Sequence, residues 1–137
     1  MFVFQIKDKH VLVIGSTWPW VEAILLYLGV DRITTLEYAS QNNEHPKINL
    51  VTPEELRKSI LEGDVPQFDG MVTFSSLEHS GLGRYGDPLN PWGDLITMAQ
   101  AWCLLKPGLY SLEIKKKTQK RFQRNQSFLM PFDSVDL

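Results

Sequence analysis

The feature that most constrains the fold is a short run of branched and aliphatic side chains at residues 11–14, with no polar residue among them. Such a strand is typical of a parallel sheet, whose strands are buried on both faces. Gly15 follows it directly, and a helical pattern opens at Trp18 and runs to about Leu28. The sequence therefore predicts a strand, a glycine turn and a helix, which together begin a βαβ unit.

The same alternation continues along the chain. It predicts strands at residues 33–36, 48–50, 69–74 and 110–114, and helices at about 53–63 and 91–105. The helix at about 53–63 should start at a capping box, because Thr52, Pro53 and Glu55 have the required spacing. Strands that alternate with helices favour a mainly parallel sheet with helices on both faces.

The first helix carries two further predictions. Thr17 is placed to act as its N-cap. The apolar residues Val21, Ile24, Leu25 and Leu28 have helical spacing, so we expect this face to pack on the sheet.

The single cysteine, Cys103, excludes an intrachain disulfide and a cysteine-based metal site. Because Trp102 and Leu104 flank it, the pattern favours a buried thiol, with Trp102 in the core. The three histidines, at positions 10, 45 and 79, lack paired spacing, so the sequence predicts no metal site.

Charge divides the chain into two parts. Up to Gly108 there are 8 Lys and Arg against 13 Asp and Glu, whereas the remainder has 6 against 3. We expect a domain at residues 1–114 and a basic, flexible tail at 115–137. The overall net charge of -2 gives no reason to expect nucleic acid as a partner. The chain has no recognisable signal peptide and no apolar segment long enough to span a membrane, which predicts a soluble, cytoplasmic protein.

Candidate ligand residues fall where the predicted strands end. Open α/β sheets bind ligands outside the carboxyl ends of their strands, which places Gly15 and Ser16 at such a site. The turn lacks the glycine pattern that cradles a dinucleotide, so an NAD-dependent oxidoreductase is disfavoured and a ligand without phosphates is favoured. Glu37, followed by Tyr38, ends the next strand, where an acidic side chain can accept hydrogen bonds from ribose hydroxyls.

Glu22 allows two interpretations. It lies one turn into the first helix, where it could face the ammonium group of a ligand. Alternatively, it is a solvated acid that the helix dipole favours.

The long loop at residues 75–90 also follows a strand and is rich in polar groups. His79 is a candidate general base because its ordinary pKa lies near neutral pH. The alternative is structural: Glu78, Arg84 and Asp87 would tie the loop together through ion pairs, with His79 as one member.

These motifs resemble known proteins. The segments 68–69, 77–79 and 105–108 resemble the class I methyltransferase superfamily. More closely, the segments 15–16, 19–23, 35–38 and 75–91 resemble an uncharacterised methyltransferase-like family with a domain of unknown function. The resemblance covers about residues 11–108, and the long loop is its most specific part.

The resemblance implies an α/β, Rossmann-like fold of the class I methyltransferase type with S-adenosylmethionine as cofactor and an unknown small acceptor. The resemblance implies cofactor contacts at Gly15, Glu37 and the loop from Ser76 to His79. Together with the positions argued above, the candidate cofactor contacts are Gly15, Ser16, Glu22, Glu37, Tyr38, Ser76, Leu77 and Glu78, and His79 is the candidate catalytic residue. Beyond Gly108 we expect a divergent or truncated end, hence an incomplete domain that could self-associate through an exposed sheet edge. The alternative function is a non-catalytic, degenerate Rossmann-like module.

Overall fold

The computed structural model describes residues 6–38 and 44–107, and the backbone of residues 111–114. The strands are β1 (His10–Ile14), β2 (Arg32–Leu36), β3 (Ile48–Val51), β4 (Gly70–Phe74) and β5 (Ser111–Ile114). The helices are α1 (Trp20–Tyr27), α2 (Pro53–Leu61) and α3 (Gly93–Cys103), and a short 3₁₀ turn lies at Leu77–His79. All of the helices and strands that the pattern predicted are present, with bounds that differ by a few residues.

The five strands form one sheet in the order β3-β2-β1-β4-β5. Every neighbouring pair is parallel, and Val13 on β1 is aligned with Thr35 on β2 and with Val72 on β4. The strand order reverses direction between β1 and β4, which is where open α/β sheets bind ligands. The predicted α/β, Rossmann-like, mainly parallel fold is confirmed.

The helices lie on both faces of the sheet, as predicted. One core cluster lies between α1 and one face of the sheet, with contributions from β1, β2 and β4. It consists of Val11, Val13, Val21, Leu25, Val30, Ile33 and Val72. The other joins the opposite face to α3 and consists of Leu12, Ile14, Phe68, Met71, Leu77, Ala101 and Leu104. The alternation of β1 side chains between the two clusters is the ordinary period of two in a strand.

Two predictions about α1 need correction. The residue before the helix is Pro19, and no side chain caps it, so Thr17 is not the N-cap. Val21 and Leu25 are buried as expected, but Ile24 and Leu28 are about half exposed, at 49% and 50%. The physical reason is that the inward face of this short helix is shared with the buried carboxyl group of Glu22.

The capping box at the start of α2 is confirmed. The Glu55 backbone N–H donates to the Thr52 hydroxyl at 3.2 Å, and the Thr52 N–H donates to the Glu55 carboxylate at 2.8 Å. This backbone donation is the main cause of a lowered pKa at Glu55. The helix itself packs loosely, because none of its residues is fully buried.

Trp102 and Cys103 were expected in the core, and both predictions were wrong. Trp102 is 43% exposed, and the Cys103 thiol is free and exposed. The buried residues of α3 are Gly93, whose backbone lies against Ser80 and Gly81 of the loop after β4, and Ala101, which packs in the second core cluster; Trp102 and Cys103 lie on exposed sides of the helix.

The predicted strand at the end of the domain is present as β5, which forms an outer edge of the described sheet. The tail predicted at 115–137 lies outside the described residues, and self-association through the edge stays a prediction. Within the described part of the chain, no helix combines the length and apolar character needed to cross a membrane.

Candidate functional site

A cavity of about 130 Å³ lies at the carboxyl ends of β1, β2 and β4. Its position matches the reversal in strand order, where ligands of open α/β sheets bind. The cavity is bounded by the turn after β1, the end of β2, the loop after β4 and one side of α3. The lining residues are Ile14, Gly15, Thr17, Leu36, Glu37, Tyr38, Pro53, Ser75, Ser76, His79, Ser80, Tyr85, Asp87, Thr97 and Gln100.

The turn after β1 depends on glycine. Gly15 has φ +69°, in the left-handed region that side chains rarely adopt. Its N–H donates to the carbonyl oxygen of Leu36 at 3.0 Å, which ties β1 to the end of β2. A Cβ at this position would overlap the side chain of Ser76, so the turn also allows the loop after β4 to approach β1.

Glu37 and Tyr38 bring polar groups to the end of β2. The Glu37 N–H donates to Val51 O at 3.2 Å, and the Tyr38 N–H donates to a Glu37 carboxylate oxygen at 2.8 Å. Burial raises the pKa of the Tyr38 hydroxyl, and the nearby carboxylates of Asp87 and Glu37 raise it further. The two carboxylates therefore give this part of the cavity a negative potential.

The turn after β4 begins with a strained residue. Ser75 has φ +47°, which is uncommon for a residue with a side chain. Its hydroxyl donates to Glu78 at 2.9 Å, and the His79 N–H donates to Ser76 O at 3.0 Å, closing the 3₁₀ turn. Strain of this kind persists only where the surroundings impose it, and it concentrates at functional sites.

Asp87 organises the rest of the loop. Its carboxylate accepts hydrogen bonds from the backbone N–H groups of Gly81 at 2.6 Å and of Gly83 and Tyr85 at 3.2 Å each. Burial by itself would raise the pKa of Asp87, but these N–H donors, together with its own, outweigh burial and lower it.

The predicted ion pairs within the loop are absent among the described residues, so that structural interpretation was wrong in its chemistry. The Arg84 guanidinium instead lies 5.5 Å from the centre of the Tyr85 ring, as in a cation–π contact. His79 meets the same tyrosine edge-on, with ring centres 6.2 Å apart. The loop is held by backbone donors to one carboxylate rather than by opposite charges.

Beneath the turn after β1 lies a buried polar cluster. The carboxyl group of Glu22 is fully buried, and its two oxygens lie 2.9 Å from the Ser16 hydroxyl and 2.8 Å from the Thr35 hydroxyl. The Ser16 hydroxyl also lies 2.8 Å from Trp18 O and shares its single proton between the two acceptors. The interpretation of Glu22 as a solvated acid was therefore wrong.

The structure brings most of the predicted site residues to one edge of the sheet. Those that line the cavity are Gly15, Glu37, Tyr38, Ser76 and His79. Ser16 and Glu22 lie behind the cavity wall, Leu77 is buried in the core, and Glu78 points to solvent from the loop. Whether any of them binds a cofactor stays a prediction.

Sequence reasoning did not include α3 in the site. Thr97 and Gln100 face the cavity, and Thr97 follows Gly93 and precedes Ala101 at helical spacing, on the side of α3 that is buried. Polar residues on the inward side of a helix were the available signal.

A second, wider cavity of about 720 Å³ lies between α2 and the sheet, towards the amino ends of the strands. The His10 ring lies there, 2.9 Å from the Thr34 hydroxyl. Parallel α/β sheets bind ligands at the opposite edge, and α2 packs loosely, so this space follows from incomplete covering of the sheet. Within the described residues, no group of three or more His, Cys, Asp or Glu side chains is arranged to hold a metal ion.

The chain matches the family model described as "Caenorhabditis protein of unknown function, DUF268" over residues 8–130. The match extends beyond Gly108, at which the resemblance was expected to end, and its description names no reaction or ligand. No curated protein matches the chain significantly. Because this family model matches most of the length of the chain, the chain belongs to the DUF268 family.

Proposed function

We propose that this protein binds S-adenosylmethionine at the carboxyl edge of its sheet, as a methyltransferase-like domain that acts on a small acceptor. The observation that carries the proposal is that Gly15 and Glu37, at the ends of adjacent parallel strands, line one cavity. The same pair of positions serves nucleoside ligands in Rossmann-type folds, where the glycine allows close approach and the acid accepts from the ribose.

Each lining residue then has a chemical part. Glu37 accepts hydrogen bonds from the ribose hydroxyls, and Tyr38 covers the adjacent face of the nucleoside. Gly15 presents bare backbone to the ligand, because the Ser76 side chain lies where its Cβ would be, and Ser76 offers a hydroxyl from the loop after β4. His79, which lines the cavity from the same loop, takes a proton from the acceptor in this proposal.

The size of the cavity favours a second candidate function. Its volume of about 130 Å³ is below the roughly 300–1,000 Å³ of a site that encloses a small-molecule ligand. A nucleoside ligand would lie partly in the open mouth, leaving little enclosed space for an acceptor. The second candidate is therefore a non-catalytic, degenerate Rossmann-like module that binds the ligand without turnover.

Calorimetric titration of the full chain with S-adenosylmethionine and S-adenosylhomocysteine tests the binding proposal. Glu37→Ala should weaken binding by about 1–3 kcal/mol, because it leaves the ribose hydroxyls without an acceptor. Glu62→Ala, which removes an exposed carboxylate remote from the cavity, is the matched control and should bind as the parent does. Equal binding by the parent and Glu37→Ala would remove Glu37 from the site, and no binding by the parent would overturn the proposal.

Turnover separates the two candidates. Transfer of a labelled methyl group to a panel of small hydroxyl, amine and carboxyl acceptors would support the methyltransferase, and His79→Asn should then lower the rate. Ligand binding without transfer to any acceptor of the panel supports the non-catalytic module.

A further inference from the structure

Glu22 is a buried acid without a basic partner. Its side chain is fully buried, and within the described residues the ion pairs are Lys58–Glu62 and Lys106–Asp69, neither of which involves it. Acidic side chains are almost never fully buried without a partner, because removing a charge from water is costly. The burial of Glu22 without a basic partner therefore requires an explanation specific to this site.

Two hydroxyl groups and the amino end of a helix face this carboxyl group, which has no basic partner among the described residues. The hydroxyl groups of Ser16 and Thr35 lie within hydrogen-bond distance of its two oxygens. Glu22 also lies in the first turn of α1, where the helix dipole favours an anion. Hydroxyl groups and a dipole supply partial charges only, so the field of the carboxylate extends beyond the cluster.

The two residues that contact the Glu22 carboxyl group adjoin, in sequence, residues that line the ligand cavity. Ser16, which contacts the carboxylate, follows Gly15, which lines the cavity. Thr35, which contacts the other oxygen, immediately precedes Leu36, which also lines it. Ser16 and Thr35 are themselves buried, so the interaction is screened less than it would be at the surface.

We propose that Glu22 determines ligand charge specificity, favouring S-adenosylmethionine over S-adenosylhomocysteine at this site. The two ligands share their adenosine, ammonium and carboxylate groups, and differ by one methyl group and the positive charge on sulfur. The buried carboxylate attracts the sulfonium cation and gains nothing from the neutral thioether. This inference rests on the proposed function, and its consequence is that the demethylated product is released more easily than the methyl donor.

Glu22→Gln is the sharpest variant because it removes the charge and keeps the hydrogen bonds. The amide oxygen can accept from Thr35, and the amide nitrogen can donate to the Ser16 oxygen. The Ser16 proton is then free to bond Trp18 O, so every polar group in the cluster has a partner. We expect this variant to fold as the parent does, which thermal unfolding will show.

Thr35→Val is the matched control for a purely structural role. It removes a hydrogen bond to the same carboxylate and disturbs the same wall of the cavity, but it leaves the charge in place. A structural effect of the cluster should weaken both ligands alike in this variant and leave their ratio unchanged.

The measurement is the ratio of the two dissociation constants in the full chain. We expect the parent to bind S-adenosylmethionine about tenfold more tightly than S-adenosylhomocysteine, which corresponds to about 1.4 kcal/mol. Glu22→Gln should reduce the ratio to near one, whereas Thr35→Val should retain it.

Three results would overturn the inference. An unchanged ratio in Glu22→Gln, or a ratio that changes equally in Thr35→Val, would leave Glu22 with a structural role only, and the proposed binding function would stand. Absence of binding by both ligands in the parent would overturn the inference and the proposed function together.

Discussion

The backbone of Gly15 lies directly against the side chain of Ser76, so that a methyl group at position 15 would overlap the serine Oγ and Cβ. This contact joins the turn after β1 to the loop after β4 at the point where the strand order reverses. The wall of the candidate site therefore depends on one residue having no side chain.

The first prediction follows from that contact. Gly15→Ala should destabilise the fold by about 2–4 kcal/mol, because it combines an unfavourable φ with a steric overlap. Gly63→Ala separates the two effects: Gly63 has φ +88° but open space around it, so about 1–2 kcal/mol is expected. Urea unfolding of both variants measures the difference, and equal losses would show that the contact with Ser76 is unimportant.

Asp87 should hold the loop in a pH-dependent way. The backbone N–H donors lower its pKa in the folded state, so its contribution is fully present above the unfolded value of about 3.9. It should be lost as the pH falls through the lower folded value. Hydrogen exchange at the Gly81 and Gly83 amides provides the measurement, since both donate to this carboxylate.

Asp87→Ala should abolish that protection at neutral pH and leave exchange in the β1 strand unchanged. Gly81 and Gly83 amides that stay protected in the variant would indicate that other contacts hold the loop.

His10 should make the fold less stable in mild acid. Its pKa is lowered by burial, with a further contribution from the positive charge of Arg32, so the unfolded chain binds a proton at a higher pH than the folded chain. Stability is therefore lost as the pH falls below the unfolded value of about 6.5 towards the folded one. Unfolding in urea at about pH 7.5 and about pH 5.5 should show this loss in the parent and a smaller loss in His10→Gln.

Leu12 tests the core. It is fully buried in the centre of the sheet, and Leu12→Ala should cost about 2–5 kcal/mol in unfolding free energy. Leu61→Ala at the end of α2 is the control, because Leu61 is 76% exposed and its truncation should change stability by less than about 0.5 kcal/mol. Similar effects of the two substitutions would contradict the assignment of the core.

The sequence alone determined the elements and the edge at which they present polar groups. The uninterrupted apolar run of β1 required a strand buried on both faces, and Gly15 after it required a tight turn. Thr52, Pro53 and Glu55 specified the start of α2 through bonds that span only three residues. Glu37 and His79 could be assigned to the site because parallel strands all end at the same edge.

Only the tertiary structure decided which side chains face inward and which partners they meet. The periodicity of α1 predicted that Ile24 would be buried and left Glu22 open, but Ile24 is 49% exposed and Glu22 is fully buried. Glu22 is buried because Ser16 and Thr35 converge on its carboxyl group from other elements. Trp102 is exposed because the end of α3 packs in the core through its neighbours Ala101 and Leu104. Local patterns record spacing along one element, whereas burial and hydrogen-bond partners depend on residues distant in sequence, and those meet only in the folded chain.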